Sequence, residues 1–372
     1  MEKSNVYFTD MRVRADESLL SKLKRLIKKA GIDKIDFNNK YVAIKVHFGE
    51  PGNLAFLRAN FSKVVADMVK ELGGKPFLTD CNTLYVGRRK NAIDHIEAAY
   101  ENGYTPFSTG CQVIIGDGLK GTDEAIVPIK NGEVLKEAKI GQAVMDADII
   151  ISLNHFKGHE STGFGGALKN LGMGCGSRAG KMEMHNSGKP EINKSACKAC
   201  RICIKSCAHD AISYDENGIA SIDNEKCVGC GRCLGSCNFD AIRNISTSAN
   251  DELNKKMAEY TQAVVQDRAN FHINIINNVS PFCDCHGSND MAIIPDVGMM
   301  ASFDPVAIDV ASADKCNEMP IMPNSRLTDI KKHDEGCDVF SHSHPDTDWK
   351  VCTSHAAKIG VGSEEYTLIE MK

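Results

Sequence analysis

The chain has 372 residues, 42% apolar and 25% charged, which suits a globular protein of about two or three domains and excludes a disordered or fibrous one. Forty-four basic against 49 acidic side chains give a formal charge of -5, so there is no global positive field to draw nucleic acid or anionic lipid. No apolar run approaches the roughly 18 to 20 residues that span a bilayer, and the N-terminal residues lack the basic-then-apolar order of a secretory signal; a cytoplasmic protein without a membrane span is expected.

In chain order, Val6 to Thr9 reads as a strand and Asp16 to Ala30 as an amphipathic helix closed by Gly31. Residues 41 to 47, Tyr-Val-Ala-Ile-Lys-Val-His, make a buried-type strand. Apolar residues then recur at helical spacing from 55 to 72, and Gly73-Gly74 stops that helix. A strand at Pro76 to Thr79, a helix near Asn91 to Asn102 and a strand at Gln112 to Gly116 follow, then a helix near Lys139 to Met145 and a strand at Asp148 to Leu153. Alternating strands and helices predict an α/β fold, a largely parallel sheet with flanking helices.

Sixteen cysteines are the compositional anomaly, and half of them lie between residues 197 and 237. Cys197, Cys200, Cys203 and Cys207 read C-x2-C-x2-C-x3-C, and Cys227, Cys230, Cys233 and Cys237 repeat the pattern. In a chain this long without a signal peptide, metal ligation explains such a run better than disulfides. Structural zinc pairs two C-x2-C knuckles or mixes in histidine, and does not call for a doubled four-cysteine run. Cysteines at this spacing form a loop that converges its thiolates on an inorganic core. Short apolar stretches around Ile192, Ala211 to Ser213, Ile219 to Ile222 and Ala241 to Arg243 fit small paired strands.

Residues 189 to 244 thereby resemble the bacterial two-[4Fe-4S] ferredoxin domain. The resemblance implies two [4Fe-4S] clusters with crossed ligation: Cys197, Cys200, Cys203 and Cys237 on one, Cys227, Cys230, Cys233 and Cys207 on the other. Ala208 and Asn238 stand where that family has proline. Eight cysteines for eight irons leave no open iron, which favours an electron relay over a catalytic cluster.

After the cysteines the α/β pattern resumes. A helix near Asp251 to Arg268, strands at Phe271 to Asn277 and Ile293 to Gly298, a helix at Pro305 to Cys316 begun by an Asp304-Pro305 cap, and a strand around Tyr366 to Met371 are expected. The ferredoxin-like unit, 189–244, then inserts into a discontinuous host domain, 1–188 and 245–372, through the polar, glycine-bearing stretch Gly180 to Pro190.

Ligands of open α/β sheets gather beyond the carboxyl ends of the strands. There the sequence sets His47 to Asn53, Asp80 to Thr83, Asn154 to Glu160 and Pro281 to His286. A glycine-rich loop, Gly163 to Gly174, runs into a helix, where backbone can approach a ligand and a helix N-terminus favours an anion. Asn154, Lys157 and His159, the segment Gly166 to Gly172, and Asp304-Pro-Val-Ala-Ile-Asp309 resemble the family catalogued as domain of unknown function 362, many of whose members carry a ferredoxin unit. Lys157, His159 and Lys169 are the candidate catalytic or anion-binding groups. His47, His155, His159, His185, Cys283, Cys285 and His286 are weaker candidates for a further metal. Cys81, Cys111, Cys316, Cys337 and Cys352 read as buried apolar thiols, and His342-Ser343-His344 as a solvated loop.

The function expected is electron transfer, two [4Fe-4S] clusters relaying electrons between a redox partner, a ferredoxin or reductase, and a small-molecule or metal site in the host domain. Two alternatives stay open: an electron carrier or assembly factor with a non-catalytic docking host, and a non-redox α/β enzyme with structural clusters.

Overall fold

The computed structural model describes residues 3 to 371 apart from 85–86, 187–188, 208, 228–232, 234–236, 238, 240, 245–249 and 330–337. Cys230, Cys337, Ala208, Asn238 and the Ser187-Gly188 part of the expected hinge lie outside the described residues.

The first stretch of the host alternates as its hydrophobic periods predict: β1 Ser4–Asp10, α1 Leu19–Lys29, β2 Tyr41–Lys45, α2 Ala59–Glu71, β3 Lys75–Asp80, α3 Ala92–Glu101, α4 Pro106–Thr109 and β4 Gln112–Ile115. A side hairpin follows, β5 Glu124–Pro128 and β6 Glu137–Gly141, and leads into α5 Gln142–Met145 and β7 Ile149–His155. The chain then makes a small hairpin, β8 Lys157–His159 and β9 Gly163–Gly165, before α6 Ala167–Cys175 and α7 Arg178–Asn186. The cysteine-rich segment holds β10 Pro190–Ile192, α8 Ile202–Ser206, β11 Ile212–Tyr214, β12 Ala220–Ile222 and β13 Ile242–Asn244. The host resumes with α9 Asn250–Val265, β14 Ala269–Ile276, β15 Gly298–Ser302, α10 Pro305–Asn317, α11 Arg326–Asp329, α12 Val339–Ser343, α13 Lys350–Lys358 and β16 Tyr366–Glu370.

Eight strands pair in the order β16-β1-β15-β14-β7-β2-β3-β4. β15 runs antiparallel to both of its neighbours, and the other pairings are parallel. Side chains alternate across the sheet as the pleat requires. Val42, Ile44, Ile149, Ile151 and Leu153 pack with α1 and α2 on one face. Ala43 and Ile150 face α6 and α9 on the other. Both faces are therefore dry and covered, which is why the central strands read as nearly continuous apolar runs. Caps close the helices where the sequence supplies them. Asn91 accepts from Ile93 and Asp94 at the start of α3, and Asp304 accepts from Val306 and Ala307 at the start of α10.

Two expected elements are corrected. Residues 139 to 141 belong to β6, with Lys139 opposite Ile126, and the helix there covers Gln142–Met145 alone; Ala138 and Ile140 bury at a period of two, which is strand spacing. The late strand begins at Gly298, where Ile293 was expected to start it. Ile293 and Ile294 are buried in the core, but Pro295 has no N–H to give a ladder.

In the cysteine-rich segment β10 pairs antiparallel with β13, Ile192 opposite Ile242, and β11 with β12, Ser213 opposite Ser221. This segment has its own small core, in which Ile212, Ala220 and Ile242 pack with Cys203 and Cys233. Leu84 and Met182 of the host join that core.

Candidate functional site

A cavity with about 830 Å³ of free space opens beyond the carboxyl ends of β2, β3 and β7. Its floor comes from the last residues of β2 and β3. Lys45, the same distance from Ala43 as one pleat, points to the α6 face and is fully buried. Its Nζ lies 3.0 Å from Asp80 Oδ1 and donates to Asn170 Oδ1 at 2.6 Å. Burial alone would raise the Asp80 carboxyl, but Lys45 and the nearby His47, His95 and Arg89 hold it well below the ordinary carboxylate range.

A buried amide chain carries this charge pair to the far side of the domain. Asn170 Nδ2 donates to Asn154 Oδ1 at 2.7 Å, and Asn154 Nδ2 to Asn274 Oδ1 at 2.8 Å. Asn274 Nδ2 in turn donates to Asp309 Oδ1 at 2.9 Å. Asp309 accepts from the backbone N–H groups of Ala167 and Leu168 at 2.7 and 2.9 Å. The expected anion at the N-terminus of α6 is therefore an internal carboxylate, and the glycine-rich loop does not cradle a ligand there. A Cβ at Gly166 would sit 2.3 Å from Asp309 Oδ1, and one at Gly172 would sit 2.2 Å from the Met257 carbonyl. These glycines serve close packing. Burial pushes the Asp309 carboxyl up to about 6, against the donors that favour its ionised form.

The rim gathers residues from two strand ends. His159 Nδ1 accepts from Ser161 and Thr162 N–H at 3.1 and 3.2 Å, so a neutral ring carries its proton on Nε2, 4.0 Å from Glu160 Oε1. His286 Nε2 lies 2.8 Å from the same Glu160 oxygen, and the hydrogen bond raises the His286 value. Lys169 Nζ donates to Cys283 Sγ at 3.3 Å, and Cys285 N–H also donates to that sulfur at 3.4 Å. A hydrogen bond from Cys285, then the Lys169 and His159 charges, pull the Cys283 thiol well below its usual value despite burial. Burial works the other way on Lys169, yet the two thiols and Glu160 keep its ammonium protonated above the ordinary value. Lys169 therefore presents a charged ammonium beside the Cys283 sulfur.

Of the expected metal candidates, ligand atoms of Cys285 and His286 converge with Glu160 to within 4.8 Å. His155 lies elsewhere: its Nδ1 faces Asp284 Oδ2 and its Nε2 the Asn277 carbonyl, both at 2.8 Å, so neither nitrogen is open to a metal. His47 has Gly49 N–H on Nδ1 and Arg89 Nη1 on Nε2. His185 lines the cavity wall, its value lowered to about 4 by burial and by His159, Lys169 and Lys181. Cys81, Cys111, Cys316 and Cys352 are buried thiols raised by burial. His344 is corrected: it is buried against Phe282, and its Nε2 meets the Pro281 carbonyl at 2.6 Å. Sequence reasoning overlooked Lys45, Arg89 and Lys181. A lysine ending an otherwise apolar strand was the available signal for Lys45; Arg89 and Lys181 look like surface residues until the fold buries them.

A second, smaller cavity lies in the cysteine-rich segment, with about 360 Å³ of free space. Cys197, Cys200, Cys203 and Cys237 all line it, together with Ile242 and Tyr214. Leu84 connects the two regions: it lines the first cavity and packs in the core that contains Cys203 and Cys233. Arg178 is fully buried, and among the described residues its Nε and Nη1 have no hydrogen-bond partner.

Sheet, cavity and cysteine-lined segment together define a mixed α/β protein with a strand-end cavity and a cysteine-rich segment compatible with metal binding. The chain belongs to the family described as domain of unknown function DUF362, whose profile matches residues 42–314. It is similar to a thylakoid-associated protein of Synechocystis, 27% identical over 150 residues, which cover 39% of this chain and 40% of that protein. Among solved structures it is similar to a lactate racemase apoprotein from Thermoanaerobacterium thermosaccharolyticum, at a TM-score of 0.39 and 9% identity over 74% of this chain and 51% of that one. A crystal structure of a Thermotoga maritima protein has a TM-score of 0.39 and 12% identity, over 81% and 57% of the two chains. No helix among the described residues is long and apolar enough to cross a membrane.

Proposed function

We propose that the protein is an iron-sulfur electron-transfer protein whose segment 189–244, a ferredoxin-like domain inserted in the α/β host, holds two [4Fe-4S] clusters and exchanges electrons with a small molecule in the strand-end cavity. Cys197, Cys200, Cys203 and Cys237 would hold one cluster, and Cys207, Cys227, Cys230 and Cys233 the other. The observation that carries the proposal is the cavity that the first four line together, although Cys237 is 34 residues beyond Cys203 in the chain. Four thiolates around an apolar-walled space are the donor set such a cluster requires. Arg178 supports the fit on the other side, since two buried guanidinium N–H groups lacking an acceptor suit an anionic sulfur-rich neighbour, and Cys233 lies within its electrostatic reach. When bound, the clusters supply one-electron transfer. A redox partner, a ferredoxin or reductase, belongs to the proposal; exposed Cys200, Ile202 and Phe239 mark the outer end of the segment.

Anaerobic purification with iron, sulfide and metal analysis and EPR spectroscopy tests this reading. About eight irons and eight labile sulfides per chain are expected, falling to about four of each in Cys200→Ala. A colourless, iron-free protein would end it. A further stoichiometric metal lost in His286→Ala would assign Glu160, Cys285 and His286 as its ligands.

A further inference from the structure

Fixed charge in the strand-end cavity is one-sided. Among the described residues that line it, Lys45, Arg89, Lys157, Lys169 and Lys181 stand against one carboxylate, Asp80, with Glu50 and Asp284 just behind. Asp80 is engaged by Lys45 at 3.0 Å, and Arg89 by Glu50 at 2.8 Å. Lys169 has the Cys283 sulfur. Lys181 Nζ meets the carbonyl oxygens of Gly174 and Gly176, with no carboxylate in salt-bridge range among the described residues. Lys157 is the least satisfied. It is 5% exposed, its Nζ makes no hydrogen bond among the described residues, and its nearest carboxylate oxygen, Asp284 Oδ2, is 3.7 Å away and already 2.8 Å from His155.

A buried ammonium lacking an acceptor is costly, and several around one cavity repel one another. The hairpin keeps room for what would relieve them. A Cβ at Gly165 would lie 2.9 Å from Lys157 Nζ and 3.3 Å from Lys169 Cδ, so the missing side chain holds open the space between the two lysines.

We infer that this cavity binds a small polyanion, with carboxylate or phosphate oxygens received by the ammonium groups of Lys157, Lys169 and Lys181. A neutral ligand would leave Lys157 without a close acceptor, and a cationic one would add to the repulsion. The inference takes from the proposed function that the small molecule occupies this cavity, but it does not require iron.

The test is anaerobic titration calorimetry of the full holoprotein with pyrophosphate, tricarballylate and, as the neutral control, glycerol. Binding of one polyanion per chain with Kd below about 1 mM is expected. Preference for pyrophosphate assigns phosphate oxygens and preference for tricarballylate assigns carboxylates; glycerol should not bind. Lys157→Met should weaken binding at least about tenfold through loss of a charge-assisted contact. Gly165→Ala, which removes no charge, should do the same by filling the gap. Unchanged urea midpoints and iron content show that both variants are folded. No heat from either anion at about 10 mM, or parental affinity in both variants, overturns the inference. Anion binding by an iron-free protein would overturn the electron-transfer proposal alone.

Discussion

Replacing Lys45 by methionine keeps the length of the side chain and removes its charge from a site with no solvent exposure. Asp80 is then left buried, with Arg89 and His95 nitrogens 3.7 Å from its Oδ2. A charge pair at 3.0 Å is worth about 5 kcal/mol at an effective dielectric constant near 20. The Arg89 guanidinium and the Cys81 N–H on Oδ1 restore part of that, His95 being neutral with its value lowered to about 3, while Asn170 loses a donor, so a net loss of about 3 to 4 kcal/mol is expected, within the range for breaking one half of a buried pair. In a chain of this size that lowers Tm by roughly 4 to 5 °C. Urea unfolding followed by the fluorescence of Trp349 measures it cleanly. Trp349 is the chain's single tryptophan, is buried, and packs on Phe164 of β9 at 5.2 Å between ring centroids, so it reports on the host beside the cavity. Asp80→Asn in the same chain removes the stranded charge and should recover at least about 2 kcal/mol as coupling energy. The deficit of Lys45→Met should also narrow in acid. Asp80, depressed in the parent, contributes stability above its unfolded value of 3.8 that is lost as pH falls. A single-variant cost under about 1 kcal/mol, or strict additivity of the two substitutions, would refute the reasoning.

Asp309→Asn tests the amide chain through pH. Because the Asp309 value is raised from 3.8 to about 6 in the folded chain, the parent gains stability below 3.8 that is lost as pH rises through 6. Its stability relative to the non-titrating variant should fall by up to about 3 kcal/mol across that window, and a flat difference would sink the assignment. Arg178→Met should lower the midpoint potential of one cluster by roughly 60 mV, the one-electron equivalent of about 1.4 kcal/mol, in an EPR-monitored titration; two unmoved potentials exclude Arg178 as a cluster neighbour. Cys283 should alkylate at lower pH than Cys81 or Cys316, and Lys169→Met should move its profile up by about 1 to 2 pH units by peptide mass spectrometry. An unchanged profile in the variant would remove Lys169 from the thiolate's environment.

Periodicity made the host legible. β2, α2, β3, β7 and α10 fall within a few residues of where apolar spacing and caps put them, because each buries a complete face and such faces leave a regular mark on the chain. The doubled cysteine run was equally plain, since the spacing of residues along the chain is a local property. Where local signals conflict the reading failed. Residues 139 to 141 carry too few alternations to declare a strand, and Pro295 interrupts a run whose buried isoleucines otherwise look like one.

The candidate site divides along the same line. That chemistry collects beyond β2, β3 and β7 follows from a parallel sheet, so His47, Asp80, Lys157 and Lys169 could be named from chain position. That Lys45 pairs with Asp80 and that Asp309 supplies the anion at α6 depends on residues separated by 35 and 142 positions meeting in space. Which atoms a residue can offer is written in its covalent chemistry and its local spacing. Whether a lysine is solvated or sealed against one carboxylate is set by packing across the whole domain, and no stretch of sequence contains that distance.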